Sequence, residues 1–305
     1  VIFVNVSRNS SERRPQPAPR GDAPSCHASR ITHHASRAFT LIELLVVISI
    51  LGLLAALTVP ALKNLGKSNI AVSAARQMLD DVGRARQLAI THRATVYMIF
   101  VPTNFWGNMD LTQYSPAQLT IITNLLANQL TAYTYVSQGE VGDQPGRHQW
   151  NYLAPWQTLP DNSLVASWKF GNPVQPVNFA IPTDNSFSIY RFDYTNNIPF
   201  PTADTNAVNL AGTVKSPWLA YIAFNYLGQL VSSQFDQDRE GNGVDIPLAQ
   251  GTVAYGYNGN TKLANFTPVT TITETPANNS TNIAYNVLHI DPLTGRAKLQ
   301  FFKLK

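Results

Sequence analysis

The chain has 305 residues with 22 basic and 18 acidic side chains, a formal net charge of +4. Six arginines (Arg8, Arg13, Arg14, Arg20, Arg30, Arg37) and two acids (Glu12, Asp22) fall in the first 38 residues, so this segment carries the whole excess and the remaining 16 bases and 16 acids balance. The high isoelectric point therefore says nothing about a polyanionic partner for the body of the protein, and the single cysteine, Cys26, excludes an intrachain disulfide and a paired-cysteine zinc site.

Residues 1–38 are rich in Arg, Ser, Pro and His and have no apolar periodicity, which predicts a disordered leader. His27, His33 and His34 suggest a metal tract, and a disposable leader accounts for the same residues. Between Phe39 and Leu62 the character changes. These 24 residues contain one ionised side chain, Glu43, and a bilayer core needs roughly 20 at helical rise. A membrane-spanning helix is expected, with Arg30 and Arg37 holding its start on the cytoplasmic side. A charge at mid-membrane costs on the order of 3 kcal/mol, so Glu43 is either an acid near the headgroups or an acid with a partner. A secretory signal peptide would be shorter and would carry its small-residue cleavage site after the apolar run.

The helix is expected to continue over residues 63–92. Val72, Ala75, Leu79, Val82 and Ala89 recur at three- and four-residue steps beside Met78, Ala85 and Leu88, while Arg76, Asp80 and Arg84 lie on the other side. One face of this amphipathic half is expected on a sheet. Pro60 predicts a kink, and Asn64, Gly66 and Asn69 weaken the following turns.

Ala94 to Val101 is β-branched and aromatic and ends at Pro102, which predicts a strand. The polar stretch of about residues 103–161 reads as an insertion with one helix, capped by Ser115, begun by Pro116, and apolar at Leu119, Ile122, Leu125 and Leu126. Further strands are expected at Leu164–Phe170, Ser186–Phe192, Leu219–Asn225, Gln229–Ser232, Thr252–Tyr257, Asn286–Ile290 and Ala297–Phe302, the last two joined by Asp291-Pro292-Leu293-Thr294-Gly295. A long helix followed by mostly antiparallel strands is an α+β pattern, with residues 93–305 forming the β-rich domain.

Ala38-Phe39-Thr40-Leu41-Ile42-Glu43 ahead of an apolar helix, with Gly52 and Pro60 inside it, resembles the signal of type IV prepilins and type II secretion pseudopilins. The resemblance implies that a prepilin peptidase cuts between Ala38 and Phe39 and methylates the new amine of Phe39. The family usually has Gly where this chain has Ala38. The helix is then retained as inner-membrane anchor and filament core, Glu43 serves filament assembly, and the β-rich domain lies in the periplasm or on an extracellular filament. Implied partners are other pilin-like subunits, the peptidase, the membrane and the inner-membrane assembly platform, with no enzymatic activity and no cofactor. Tyr221–Gly228, Ile246–Leu248, Val287–Ile290 and Thr294-Gly295-Arg296 are similar to the closing strands of pseudopilin H and FimT-like minor pilins, and the long 103–161 region departs from that small domain.

Other features bear on chemistry. Asp236, Asp238, Glu240 and Asp245, with Gly241 and Gly243, resemble the start of a calcium loop, but Pro247 stands where the bidentate Glu belongs, so a solvated hairpin turn fits the same residues. Arg296, Lys298, Lys303 and Lys305 crowd the last ten residues. In FimT-like pilins such a tail contacts DNA, whereas on an edge strand lysines simply discourage aggregation. Residues 296 and 298 would face one way and 303 and 305 the other, which argues against one nucleic-acid stripe. Trp106, Trp150, Trp156, Trp168 and Trp218 offer a sugar platform or ordinary packing, and His289 reads as a core histidine. No phosphate loop, zinc-protease motif or nucleophile elbow occurs.

Overall fold

The computed structural model describes residues 40–139, 149–171, 177–179, 187–203, 216–231, 243–258, 263–266, 269–281 and 287–300. Within the first helix the side chains of residues 57–69 also lie outside the description. The chain divides into two compact units, Val1–Ala55 and Ala56–Lys305.

Helix α1 (Leu41–His92) is continuous through Pro60. It stops at Arg93, whose backbone is left-handed (φ 51). There the Ala94 amide reaches back to the Ala89 carbonyl at 3.3 Å, the long bond of a Schellman cap. Strands β1 (Thr95–Phe100), β2 (Ala132–Gln138), β3 (Trp150–Tyr152) and β4 (Gln157–Thr158) follow, with α2 (Pro116–Ala127) between the first two. The chain then forms β5 (Ser163–Val165), the hairpin β6 (Val177–Phe179) and β7 (Phe187–Ile189), β8 (Asp193–Thr195) and β9 (Leu219–Phe224). It ends in β10 (Val244–Ala254), the hairpin β11 (Gly256–Asn258) and β12 (Leu263–Asn265), β13 (Thr271–Glu274), β14 (Val287–Ile290) and β15 (Ala297–Gln300). The α+β class is as expected, and every strand pairing described is antiparallel.

The first sheet runs β3-β2-β1-β9-β8, with β4 added to β2. Alternation along β1 explains its nearly continuous apolar sequence. Val96, Met98 and Phe100 pack with the α1 face, and Ile99 and Val101 pack with α2. A sheet covered on both sides needs apolar residues at both parities. Tyr133 and Tyr135 of β2, and Ala220, Ile222 and Phe224 of β9, join the α1 side by the same period of two. The second sheet, β13-β10-β14-β15 with β5 on β10, adds Ile246, Leu248, Leu288 and Ile290 to the same core.

The buried stripe of α1 is Ala74, Ala75, Met78, Val82, Ala85 and Ala89. Four of these six are alanines, which let the helix backbone approach the strands closely. Val72, expected on this face, is instead exposed, and Leu79 is half-buried.

Several expected strands change. The segment Leu164–Phe170 is strand only to Val165 and then a 3₁₀ turn over Ser167–Phe170. Lys169, fully buried on that turn, donates its ammonium to the Tyr190 carbonyl and lies 4.9 Å from the Phe192 ring centre. Gln229–Ser232 gives a single bridge, Phe224 to Leu230. Ser186–Phe192 shortens to β7, and Thr252–Tyr257 is split between the end of β10 and β11. Residues 103–161, expected as an insertion on the core fold, supply β2, β3 and β4, so the first sheet depends on them. The capping of α2 is as expected: Ser115 accepts from the Gln118 amide at 3.3 Å, and Gln118 accepts from the Ser115 amide at 3.0 Å.

Candidate functional site at the start of the first helix

Ala38 and Phe39 lie outside the described residues. Immediately after them Thr40 begins α1. The Glu43 amide donates to Thr40 Oγ1 at 3.2 Å, and Glu43 Oε2 accepts from the Thr40 amide and hydroxyl at 3.3 Å each. This is a reciprocal capping box, in which two orphan amides of a helix start are satisfied by side chains. Glu43 also places its carboxylate at the positive end of the helix dipole. The Thr-x-x-Glu spacing was available in the sequence, where Glu43 reads first as an isolated charge.

Beyond the cap the helix surface is apolar. Leu41, Ile42, Leu44, Leu45, Val46, Val47, Ile48, Ile50, Leu51, Leu53 and Leu54 are all exposed. Each such side chain gains about 1.5–3 kcal/mol on leaving water, so this segment asks for an apolar environment. Ser49, the hydroxyl in the run, returns its proton to the Val46 carbonyl at 2.8 Å and stays satisfied without water.

A scan against protein-family models matches residues 33–59 to the prokaryotic N-terminal methylation motif. The chain carries a type IV prepilin or pseudopilin signal. The matched span ends within the capped apolar helix. No curated protein and no solved structure matches the chain. The likeness of the closing strands to pseudopilin H and FimT-like minor pilins receives no support from these comparisons. Among the described residues no helix is long and apolar enough to cross a membrane. The described side chains of the prepilin helix run from Leu41 to Ala56, 16 residues, against the roughly 20 that a bilayer core requires.

The other candidate residues do not converge. Asp236, Asp238 and Glu240 lie outside the described residues, as do Lys303 and Lys305. Asp245 is committed elsewhere: its Oδ1 is 2.8 Å from His289 Nδ1, across the β10–β14 pairing. His289 is thus a half-buried strand residue with a carboxylate partner rather than a packed core histidine. Among the described residues no group of three His, Cys, Asp or Glu is placed to hold a metal. Arg296 and Lys298 are both exposed at the start of β15.

The tryptophans are distributed rather than stacked. Trp106, Trp156 and Trp168 donate to the carbonyls of Phe266, Pro201 and Ser280, at 2.8, 3.1 and 3.2 Å. Trp150 meets the edge of Tyr97, and Trp218 alone is exposed, at 52%.

One polar cluster escaped the sequence reading. Asp81 of α1 accepts from both Tyr133 and Tyr135 hydroxyls of β2, the second at 3.1 Å. Gln77 donates to the Tyr133 oxygen and to the Thr158 carbonyl, each at 2.8 Å. Burial pushes both tyrosine hydroxyls well above their ordinary range, and Asp81 pushes the same way. These bonds tie α1 to β2 and β4, which makes the cluster structural.

Proposed function

We propose that the chain is a pilin-like structural subunit, a pseudopilin or minor pilin, of a type II secretion or type IV pilus filament. Prepilin peptidase cuts between Ala38 and Phe39 and methylates the Phe39 amine. Residues 39–62 then anchor the protein as a single pass in the bacterial inner membrane, and the β-rich body lies in the periplasm or on an extracellular filament. The assembly platform and other pilin-like subunits are its partners, met through the amino-terminal helix. The observation that carries this reading is the methylation motif at residues 33–59, which ends within α1, whose side chains from Leu41 to Ala56 are all exposed. No enzymatic step and no cofactor enters it.

The test is incorporation. In cells that make the filament and lack the native copy, the chain should enter sheared filaments or cross-linked assemblies only when an active prepilin peptidase is present. Incorporation that ignores the peptidase would contradict the reading.

A second reading, capture of DNA or of a secreted substrate at a filament tip, draws on the exposed Arg296 and Lys298 at the start of β15. Two cations supply little of the phosphate neutralisation that duplex binding requires, so the structural role is preferred.

A further inference from the structure

The first backbone bond described in α1 runs from the Leu44 amide to the Thr40 carbonyl, at 3.2 Å. One residue earlier the ladder is diverted. In a helix continued backwards the Glu43 amide would bond the Phe39 carbonyl, and the Ile42 amide would bond the Ala38 carbonyl. Thr40 Oγ1 takes the Glu43 amide instead, at 3.2 Å. Glu43 Oε2 takes the Thr40 amide at 3.3 Å, a donor that a longer helix would direct to the Ser36 carbonyl. The cap therefore competes for two of the donors that would carry the helix back across the Ala38–Phe39 bond.

The local sequence supplies no other stop. From Ser25 to Leu51 the chain holds neither glycine nor proline. Ala38 has the highest helix propensity of any residue type, and Ala35 and Arg37 ahead of it are good helix formers too. Lengthening a helix that already exists avoids the cost of a nucleus, so small preferences decide where it ends. A glycine at position 38 would resist the helix by its own backbone freedom; alanine does not.

The position of the end matters to hydrolysis. A peptide group inside a helix has its carbonyl bonded to an amide one turn on and is walled by neighbouring side chains, so a nucleophile and its oxyanion donors cannot converge on it.

We infer that Thr40 is a positioning residue for the prepilin cut: its hydroxyl ends α1 at Leu41 and so keeps the Ala38–Phe39 bond outside the helix, the task a glycine at position 38 would otherwise perform. The inference rests on the processing reading above and adds to it what makes this alanine-bearing signal cleavable. Once the leader is gone only Phe39 precedes the helix start, so in the processed chain the same loss of the hydroxyl shows as fraying.

The experiment cuts purified full-length chains with a prepilin peptidase in detergent and measures kcat and KM. Thr40→Val keeps the shape and a similar helix propensity but removes the hydroxyl. It should raise KM by up to about fivefold with kcat unchanged, because only the fraction of chains with the bond outside the helix can bind. Thr40→Ser, which restores a capping hydroxyl, should recover the wild-type KM. Ala38→Gly should recover most of the loss when added to Thr40→Val and should have a smaller effect in the capped chain, a non-additivity that a direct contact between peptidase and hydroxyl would not give. A wild-type KM for Thr40→Val would overturn the inference. So would a loss in Thr40→Ser equal to that in Thr40→Val, or a gain from Ala38→Gly that is the same factor in both backgrounds. Each of these leaves the processing reading standing, whereas wild type that is never cut removes both.

Discussion

Thr40 and Glu43 cap each other: the hydroxyl of one accepts the amide of the other at 3.2 Å, and the carboxylate returns the bond at 3.3 Å. Glu43 therefore has a local structural task in the uncut chain besides any task in assembly. The proposed cut between Ala38 and Phe39 would leave the Thr40 amide in place, so the cap should survive processing. Thr40→Ala should cost the helix start about 1 kcal/mol. Amide exchange of Leu41 to Glu43 in detergent should quicken while residues beyond the second turn are unchanged.

The cap also separates the two tasks of Glu43. Glutamine serves at this capping-box position as well as glutamate does, but it carries no charge. After processing, a carboxylate beside the Phe39 ammonium at about 4 Å is attracted by roughly 4 kcal/mol at an effective dielectric of 20. Glu43→Gln and Glu43→Val should both enter the membrane and be cut, and both should fail to join filaments. Filament entry by the glutamine variant alone would show that the cap, not the charge, is what assembly needs.

Asp81 ties α1 to the first sheet. Asp81→Ala leaves the Tyr133 hydroxyl without its acceptor, while the Tyr135 hydroxyl keeps the backbone carbonyl of residue 81 at 3.1 Å, and a loss of about 1.5–3 kcal/mol in unfolding free energy is expected, that of one charge-assisted bond. Chemical denaturation of the full chain in detergent, followed by near-ultraviolet dichroism, measures it. A loss below about half a kilocalorie, on the order of a surface substitution, would mean that the cluster is solvated.

The same pair sets an alkaline limit. Both tyrosines have folded pKa values raised above the ordinary 10.0. A group with a raised folded pKa stabilises the fold fully below its unfolded pKa and loses that contribution as pH rises towards the folded one. Stability should therefore fall above about pH 10. Tyrosinate absorbance should show Tyr133 and Tyr135 silent until unfolding, and Tyr→Phe variants at either position should leave the amplitude near pH 10 unchanged.

The acid limit of the turn after β14, Asp291 to Gly295, has the opposite sign. Hydrogen bonds from Thr294 and Leu293 hold the Asp291 carboxyl below its ordinary value of 3.8. A depressed folded pKa gives stability present above the unfolded value and lost as pH falls through the folded one. The protection factors of the Leu293 and Thr294 amides, corrected for intrinsic exchange, should be flat above about pH 5 and should fall below about pH 4, as the carboxyl protonates. Asp291→Asn should remove that dependence.

What could be read from the chain beforehand follows a physical divide. Local signals held: Ser115 and Pro116 marked the start of α2, and the β-branched run marked β1. β2 was not legible, because its sequence AYTYVSQ interleaves apolar and hydroxyl side chains and its identity comes from distant partners. Tyr133 reaches Asp81 across 52 positions, and the strand pairs along its length with β1. Leu164–Phe170 misled for the complementary reason: β-forming residues there yield to the buried Lys169, which turns the backbone toward Tyr190. At the signal itself the cleavage motif was plain, while the capping role of Glu43 was hidden behind its charge.

Processing of the prepilin signal is read from the mass of the amino-terminal peptide. The full chain is expressed with and without an active prepilin peptidase, recovered from the membrane, and its first peptide is sequenced and weighed. A mature chain that begins at N-methylated Phe39 is expected only where the peptidase is active, with the apolar helix retained. A chain that keeps residues 1–38 beside the active enzyme, or one that has lost the helix with its leader, would contradict it.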